Sequence, residues 1–453
     1  MKILKRIAFT LLLIIAVGLI YFFVSYYPKL NVATAYVAKK VCSCHYVGNT
    51  ELDRIDKEDL NLFPLSYVSY EVDELEKTVS ASILGMQRRK AVFKDELGCS
   101  IIKGEDDYNV RFITGRPQVQ YLSDSLPWPY GKTEAIHSGS GIDRDKIESA
   151  FNEAFDEDGK WEKQTRALLI IKDDSLVREQ YSEGYDANSP MLGWSMTKSI
   201  AGTLIGILMK DGKVSMDDNQ LFEEWTDERG DITLMQMLNM SSGLEWAEVY
   251  DDLSNATKML YDSESVVDVA RDVPLAQEPG TYWNYSSGTS NLLSGYIRNQ
   301  FDQFIQYQAF PYLKLFNKLG MESAQMECDE QGNYVMSSYS FATARDWAKL
   351  GQLYLNHGKW KHMEILDSSY VDFATKVAPA CSDSIYGGQI WLNRSKNAFA
   401  DAPDDLYFFS GFQGQFVCVI PSRNLVVVRL GVNDNPPFSM NEVLKIICEA
   451  IPT

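Results

Sequence analysis

Histidine is nearly missing from this chain: four in 453 residues, His45, His137, His357 and His362. None stands in a triad context, and no Gly-x-Ser-x-Gly elbow occurs, which removes the ordinary Ser-His-Asp hydrolase. Cys42-Ser43-Cys44-His45 is followed by no second Cys/His cluster at ligand spacing, so no metal site is expected, and no cofactor. Positive charge is also short: 43 Lys and Arg against 62 Asp and Glu leave a net charge of −19. No basic cluster interrupts the chain after its first residues, which excludes a nucleic-acid surface. Repeats and low-complexity tracts are absent. What remains is a globular composition, 45% hydrophobic and 23% charged, long enough for two or three domains or one large one.

The amino terminus is different. Met1 to Arg6 is basic, Ile7 to Val24 is almost wholly apolar, and Ser25-Tyr26-Tyr27-Pro28 follows. Residues 1–30 read as a signal peptide or an inner-membrane anchor with its start in the cytoplasm. Ala33-Thr34-Ala35 is a candidate cleavage site, but it lies far from the apolar run, which favours an uncleaved anchor. Either way the body is expected outside the cytoplasm, periplasmic or at the cell surface. Seven cysteines fit that compartment, and the odd number leaves one unpaired. Cys99 is a candidate partner for Cys42 or Cys44, and Cys328 with Cys381 is a second candidate pair. Cys418 and Cys448 fall in strand and helix patterns as buried thiols.

Residues 40–135 form an extension with strand-like alternation at Val68–Val72 and Val79–Ile83, followed by a wrapping loop or linker from Pro117 to Pro129. From about 140 onward, Ile142-Asp143 opens a helix with Ile147, Phe151, Ala154 and Phe155 on one face. Ala167–Ile171 and Ser175–Tyr181 are strands about an Asp173-Asp174 turn. Gln415–Ile420 and Leu425–Leu430 are a second strand pair, and Met440–Ile451 is a closing helix. The stretch between, about 195–375, is mainly helical. One antiparallel sheet closed from both ends of the chain, with terminal helices packed on it, is the simplest arrangement of an α/β (α+β) domain over 140–453.

The informative stretch is Gly193 to Lys213. From Ser195 it has helical spacing at Ile200, Leu204, Ile207 and Leu208, and Lys210-Asp211-Gly212 stops it. Ser195 and Lys198, three residues apart, lie within one turn, so the amine reaches the hydroxyl. A buried lysine that has lost its proton activates a serine, and the helix start aims backbone N–H groups at a developing oxyanion. Ser-x-x-Lys is a weak pattern: Ser100-Ile101-Ile102-Lys103 repeats it in a strand, where the two side chains face opposite ways. A helix cap is the structural alternative for Ser195. Two further stretches bear on the choice: Pro279-Gly280-Thr281 leading to Tyr285-Ser286-Ser287-Gly288, and Phe408 to Phe416. Ser290 and Asn291 read as helix-start caps, and Trp194 and Trp283 as packing beside a site.

Together with Ile232–Leu244 and Ala344-Arg345-Asp346-Trp347-Ala348, these stretches resemble the serine β-lactamase and penicillin-binding-protein superfamily. The likeness is greatest to its class C β-lactamase-related esterases, DD-peptidases and aminohexanoate-oligomer hydrolases. The resemblance implies the β-lactamase/transpeptidase fold, with Ser195 as acylated nucleophile, Lys198 as its base partner and Tyr285 as proton relay. It implies oxyanion donors at the N–H groups of Ser195 and Gln415, and substrate contacts at Ser287, Phe412, Gln413 and Gly414. Ser287 replaces an asparagine common in class C enzymes. Phe412-Gln413-Gly414 replaces the family's Lys/His-x-Gly, so the cation that holds a substrate carboxylate is missing. That points away from a true β-lactamase and toward an amidase or esterase for an uncharged-ended small-molecule or peptide-like substrate. The alternative is a non-catalytic ligand sensor at the cell surface.

Overall fold

A computed structural model describes residues 2–61, 64–95, 97–103, 123–133, 141–156, 160, 162–433 and 437–451. Much of the Pro117–Pro129 loop, and His137, lie outside the described residues. The chain opens with helix α1, Lys2–Tyr21, whose apolar side chains are exposed throughout. A π-helical turn at Phe22–Tyr26 joins it to α2, Tyr27–Cys42, and a second such turn continues to Val47. From Thr34 onward this helix is buried, with Tyr36 half-buried. It packs on a four-stranded antiparallel sheet: β1, Ser69–Asp73; β2, Thr78–Ile83; β3, Met86–Lys94; β4, Gly98–Ile102.

Cys42 is disulfide-bonded to Cys99. Beside the disulfide, Lys39 pairs with Glu327 at 2.8 Å, both buried, and Glu327 also accepts from Ser43 and from the Cys99 backbone. Lys40 pairs with Asp59 at 2.9 Å, and Arg166 with Glu58 and Asp59 at 2.7 Å. The expected Cys328–Cys381 bond is not formed; both thiols are buried and free. Cys328 lies in the main core, whereas Cys381 packs with Met240, Ala378 and Tyr386 in a separate cluster.

Helix α3, Arg144–Ala154, starts at Asp143, whose carboxylate accepts from the Lys146 N–H. Strands β5, Thr165–Lys172, and β6, Ser175–Tyr181, follow as expected. The helical middle then runs through α4, Thr197–Lys210; α5, Leu234–Leu238; α6, Asn255–Tyr261; α7, Ser287–Asn299; and α8, Ala344–Leu355. Helix α8 follows a short strand, Ser340–Ala342, and is capped by Thr343. Strands β7, Trp391–Leu392; β8, Tyr407–Gly411; β9, Gln415–Ile420; and β10, Leu425–Gly431, lead to the closing helix α9, Met440–Ala450.

The six-stranded sheet has the order β7-β8-β9-β10-β5-β6, antiparallel throughout. Strands from the two ends of the sequence meet where Val427 pairs with Ile170. Both central strands read as continuous apolar runs because both faces are covered. Leu169, Ile171, Val426 and Val428 face the main core with Trp347, Leu350 and Leu353 of α8. Leu168, Ile170, Leu425 and Val427 face Ile147, Phe151, Val443, Leu444 and Ile447 of the terminal helices. A fully buried Val, Leu or Ile stabilises by about 1.5–3 kcal/mol, so this three-layer packing is the rigid frame on which the site is hung.

Candidate active site

Ser195 lies in a 3₁₀ turn, Trp194–Met196, that leads into α4. Trp194 has φ 48°, a left-handed conformation that costs a non-glycine residue free energy. The turn is held from outside. The Gly193 N–H donates to the Ser340 carbonyl at 2.8 Å, and Thr197 Oγ1 donates to the Trp194 carbonyl at 2.7 Å. Trp194 stacks on Tyr36, with Lys40 Nζ 5.1 Å from its ring centre. The N-terminal helix thus braces the residue just before the serine. Strand β8 comes close behind, since a side chain at Gly411 would strike the Gly193 carbonyl at 2.2 Å.

Lys198 is 1% exposed. Its amine lies 3.2 Å from Ser195 Oγ, 3.0 Å from Ser287 Oγ and 2.8 Å from the Ser337 carbonyl. Burial lowers its pKa from 10.5 to about 8, against an opposing pull from Glu248. At pH 7 about a tenth of such a lysine is neutral, against roughly three in ten thousand at its ordinary value. The partners decide where the lone pair points. The Ser337 carbonyl only accepts. The Ser287 hydroxyl has its one proton on Glu248 Oε1, at 2.5 Å, so it too accepts from the lysine. A neutral amine has two N–H groups for these two acceptors, which leaves its lone pair for the Ser195 hydroxyl.

Glu248, which no sequence pattern marked, is central to this arrangement. It accepts from the Ser287 N–H at 2.8 Å, from Trp246 Nε1 at 2.5 Å and from the Tyr250 hydroxyl at 2.6 Å, as well as from Ser287 Oγ. Ser287, expected against a substrate, is fully buried and turned to Lys198 and Glu248. Asn291 and Ser290 are not caps; Ser286 caps α7 by accepting from the Thr289 N–H. Asn291 instead brackets Ser337, donating to its Oγ and accepting from its N–H, both at 3.1 Å. Ser290 Oγ donates to Gln389 Oε1 at 2.8 Å.

Tyr285 immediately precedes that cap. Its segment is fixed by the Asn284 N–H on the Met240 carbonyl and Asn284 Nδ2 on the Trp246 carbonyl. The ring packs against Trp391 at 5.1 Å and Tyr386 at 5.9 Å, and its centre lies 4.9 Å from Lys198 Nζ. Ser195 is among the groups that act on its hydroxyl. Burial, reinforced by the Glu248 charge, pushes the phenol well above 10, so it keeps its proton at neutral pH. Tyr285, far along the chain, is thus brought beside the Ser195–Lys198 turn.

The turn Phe412-Gln413-Gly414 joins β8 to β9. Phe412 is 42% exposed, with its ring edge-on to Trp194 at 5.6 Å. Gln413 is buried and accepts from Trp194 Nε1 at 3.3 Å. Gln413 and Gly414 both have positive φ, 63° and 76°. Gln415 begins β9, with its side chain turned inward to the carbonyls of Phe412, Gln413 and Gly431.

A family model described as Beta-lactamase matches residues 156–445. The 6-aminohexanoate-dimer hydrolase of Paenarthrobacter ureafaciens is 23% identical over 300 residues, covering 60% of this chain and 74% of that one. A Bacillus anthracis structure assigned as a 6-aminohexanoate-dimer hydrolase has a TM-score of 0.59 at 21% identity, over 74% of this chain and 89% of that one. A family VIII carboxylesterase has a TM-score of 0.52 at 16% identity, over 70% and 98%. With the family model spanning well over half of the residues, the chain belongs to the beta-lactamase family, within the superfamily of serine β-lactamases and penicillin-binding proteins.

Proposed function

We propose that this protein is a serine hydrolase that cleaves an amide or ester bond through an acyl-enzyme on Ser195. One observation carries the reading: two of the three partners of Lys198 accept from it, so the lone pair of the neutral amine is left for the Ser195 hydroxyl. Ser195 Oγ attacks the substrate carbonyl as its proton passes to Lys198. The N–H groups of Ser195 and Gln415 stabilise the oxyanion; loss of one such donor typically raises the barrier by ~2.7–4 kcal/mol. The lysine then returns the proton through Tyr285, a protonated phenol suited to relaying rather than abstracting, to the departing amine or alkoxide. Water, activated by the same lysine, clears the acyl group.

Phe412 at the mouth, in place of a cation, supports a substrate without an anionic end and argues against β-lactams. The names of the similar proteins make linear amides and carboxylic esters the first substrates to try. We further propose that α1 is a retained membrane anchor and the body lies outside the cytoplasm. Thr34 and Ala35 of the candidate cleavage site are wholly buried in α2, and the Cys42–Cys99 disulfide suits an oxidising compartment.

The test is a fluorophosphonate probe, followed by short-chain esters, linear amides, D-Ala-D-Ala peptides and β-lactams. Labelling that disappears in Ser195→Ala, with ester or amide turnover above β-lactam turnover, is the expected result. Absence of both labelling and turnover overturns the hydrolase in favour of a ligand sensor.

A further inference from the structure

Arg429 of β10 is wholly buried. Its Nε donates to Thr165 Oγ1 at 3.1 Å and one terminal nitrogen to the Lys163 carbonyl at 2.7 Å. The other terminal nitrogen donates to two successive carbonyls, Gln413 at 2.9 Å and Gly414 at 2.8 Å. The Phe438 ring closes over the guanidinium, its centre 4.1 Å away. All of these acceptors are neutral. Burying a cation among neutral groups is destabilising, and an apolar side chain of similar size would pack there with less penalty. What the cation holds is therefore the informative part.

It holds the turn on which the second oxyanion donor sits. A trans peptide is planar, with its C=O and N–H pointing in opposite directions. Drawing the Gly414 carbonyl toward Arg429 therefore aims the N–H of Gln415 away from the guanidinium. Gln415 Nε2 draws the Phe412 carbonyl inward as well, at 2.9 Å. Gly414 is the residue most able to let this peptide rotate, since glycine moves readily between positive and negative φ. Rotation would place a carbonyl oxygen where the oxyanion must form. Charge-assisted hydrogen bonds are roughly twice as strong as neutral ones, and two of them oppose that rotation. The cation also stands behind the turn whose first position, Phe412, brings no charge.

We propose that Arg429 is the positioning residue of the oxyanion site: it fixes the Gly414–Gln415 peptide with its N–H toward the acyl oxygen and sets a positive charge behind it. The proposal rests on the acyl-enzyme reading. The role is electrostatic and orientational, so it acts on the acylation step and leaves substrate affinity largely alone.

The experiment measures the rate of fluorophosphonate labelling, and kcat and KM on a short-chain ester, for wild type, Arg429→Gln, Arg429→Lys and Thr165→Val, with a thermal melt of each. Loss of an oxyanion donor lowers turnover by about 100- to 1000-fold. Arg429→Gln is expected to lose labelling rate and kcat by about 10- to 100-fold with KM changed by less than about 3-fold, since the peptide is loosened rather than removed. Arg429→Lys, which keeps a charge but not the double hold, falls between. Thr165→Val keeps the guanidinium and removes only an acceptor that aims it, so it decides the matter if the Arg429 variants give no cooperative melt; a smaller loss in kcat alone is expected. Wild-type labelling and kcat in the variants that melt cooperatively would overturn the positioning role. A wild type that forms no Ser195 adduct overturns the acyl-enzyme reading, and this inference with it.

Discussion

In the proposed acyl-enzyme cycle Lys198 has to be neutral to take the serine proton and charged to return it, and its surroundings set how often it is each. Burial brings its pKa to about 8 while the Glu248 carboxylate pulls the other way. The pH profile of kcat/KM is therefore expected to rise to a midpoint near 8. Glu248→Gln removes the opposing charge, so its midpoint should lie below that of wild type; a midpoint at or above the wild-type value contradicts the arrangement. The same group leaves a mark on stability. The folded pKa is depressed, so between about 8 and the ordinary 10.5 the unfolded chain binds more protons and wild-type stability rises with pH. Lys198→Met lacks that dependence. From pH 7 to pH 11 the stability difference should move by about 3 kcal/mol in favour of wild type, read by denaturant melts at each pH. Turnover of the variant should be lost at every pH.

At the scale of elements, the N-terminal helix is the part whose role reaches furthest from its sequence. Tyr36 and Lys40 of α2 lie on Trp194, while Lys39 is locked to Glu327 with both side chains buried. Breaking a buried pair by removing one partner costs about 3–5 kcal/mol, so Glu327→Ala should lower stability by that order, with kcat on a soluble ester changed far less. A melt as stable as wild type would show the pair to be dispensable. Four strands of the six-stranded sheet, β5, β6, β9 and β10, were legible in the sequence because their apolar runs are bounded by turn residues; the two-residue β7 and the edge-side β8 were not. So was the cap at Asp143, which bonds a near neighbour in the chain. Ser195, Lys198 and Tyr285 were legible as types at suggestive places, through local helical spacing and a family likeness. Glu248, the Ser337 carbonyl and Arg429 were not. They act through contacts 39 or fewer residues away in one case, 139 in another and 16 across a hairpin in the third, none with any periodic signature. The Asn291 side chain was misplaced for the same reason: a helix-start asparagine caps by default, and only the tertiary neighbour Ser337 redirects it.

For the whole molecule, the exposed apolar helix and the buried continuation after it make one rod, with its far half built into the body. Membrane association should therefore resist carbonate extraction, and the membrane-bound protein should keep residues 1–35, read by peptide mass mapping. A mature chain beginning after Ala35 contradicts the retained anchor. Removing residues 1–25 should release a soluble protein with unchanged ester turnover, because the contacts to Trp194 begin at Tyr36.

The most direct measurement is peptide mass spectrometry of the protein quenched in acid during turnover of a slow ester. An acyl mass on the peptide carrying Ser195, absent from Ser195→Ala and strongly diminished in Lys198→Ala, is the predicted result. Turnover with no acyl mass on Ser195, or with the mass on another residue, would contradict the account.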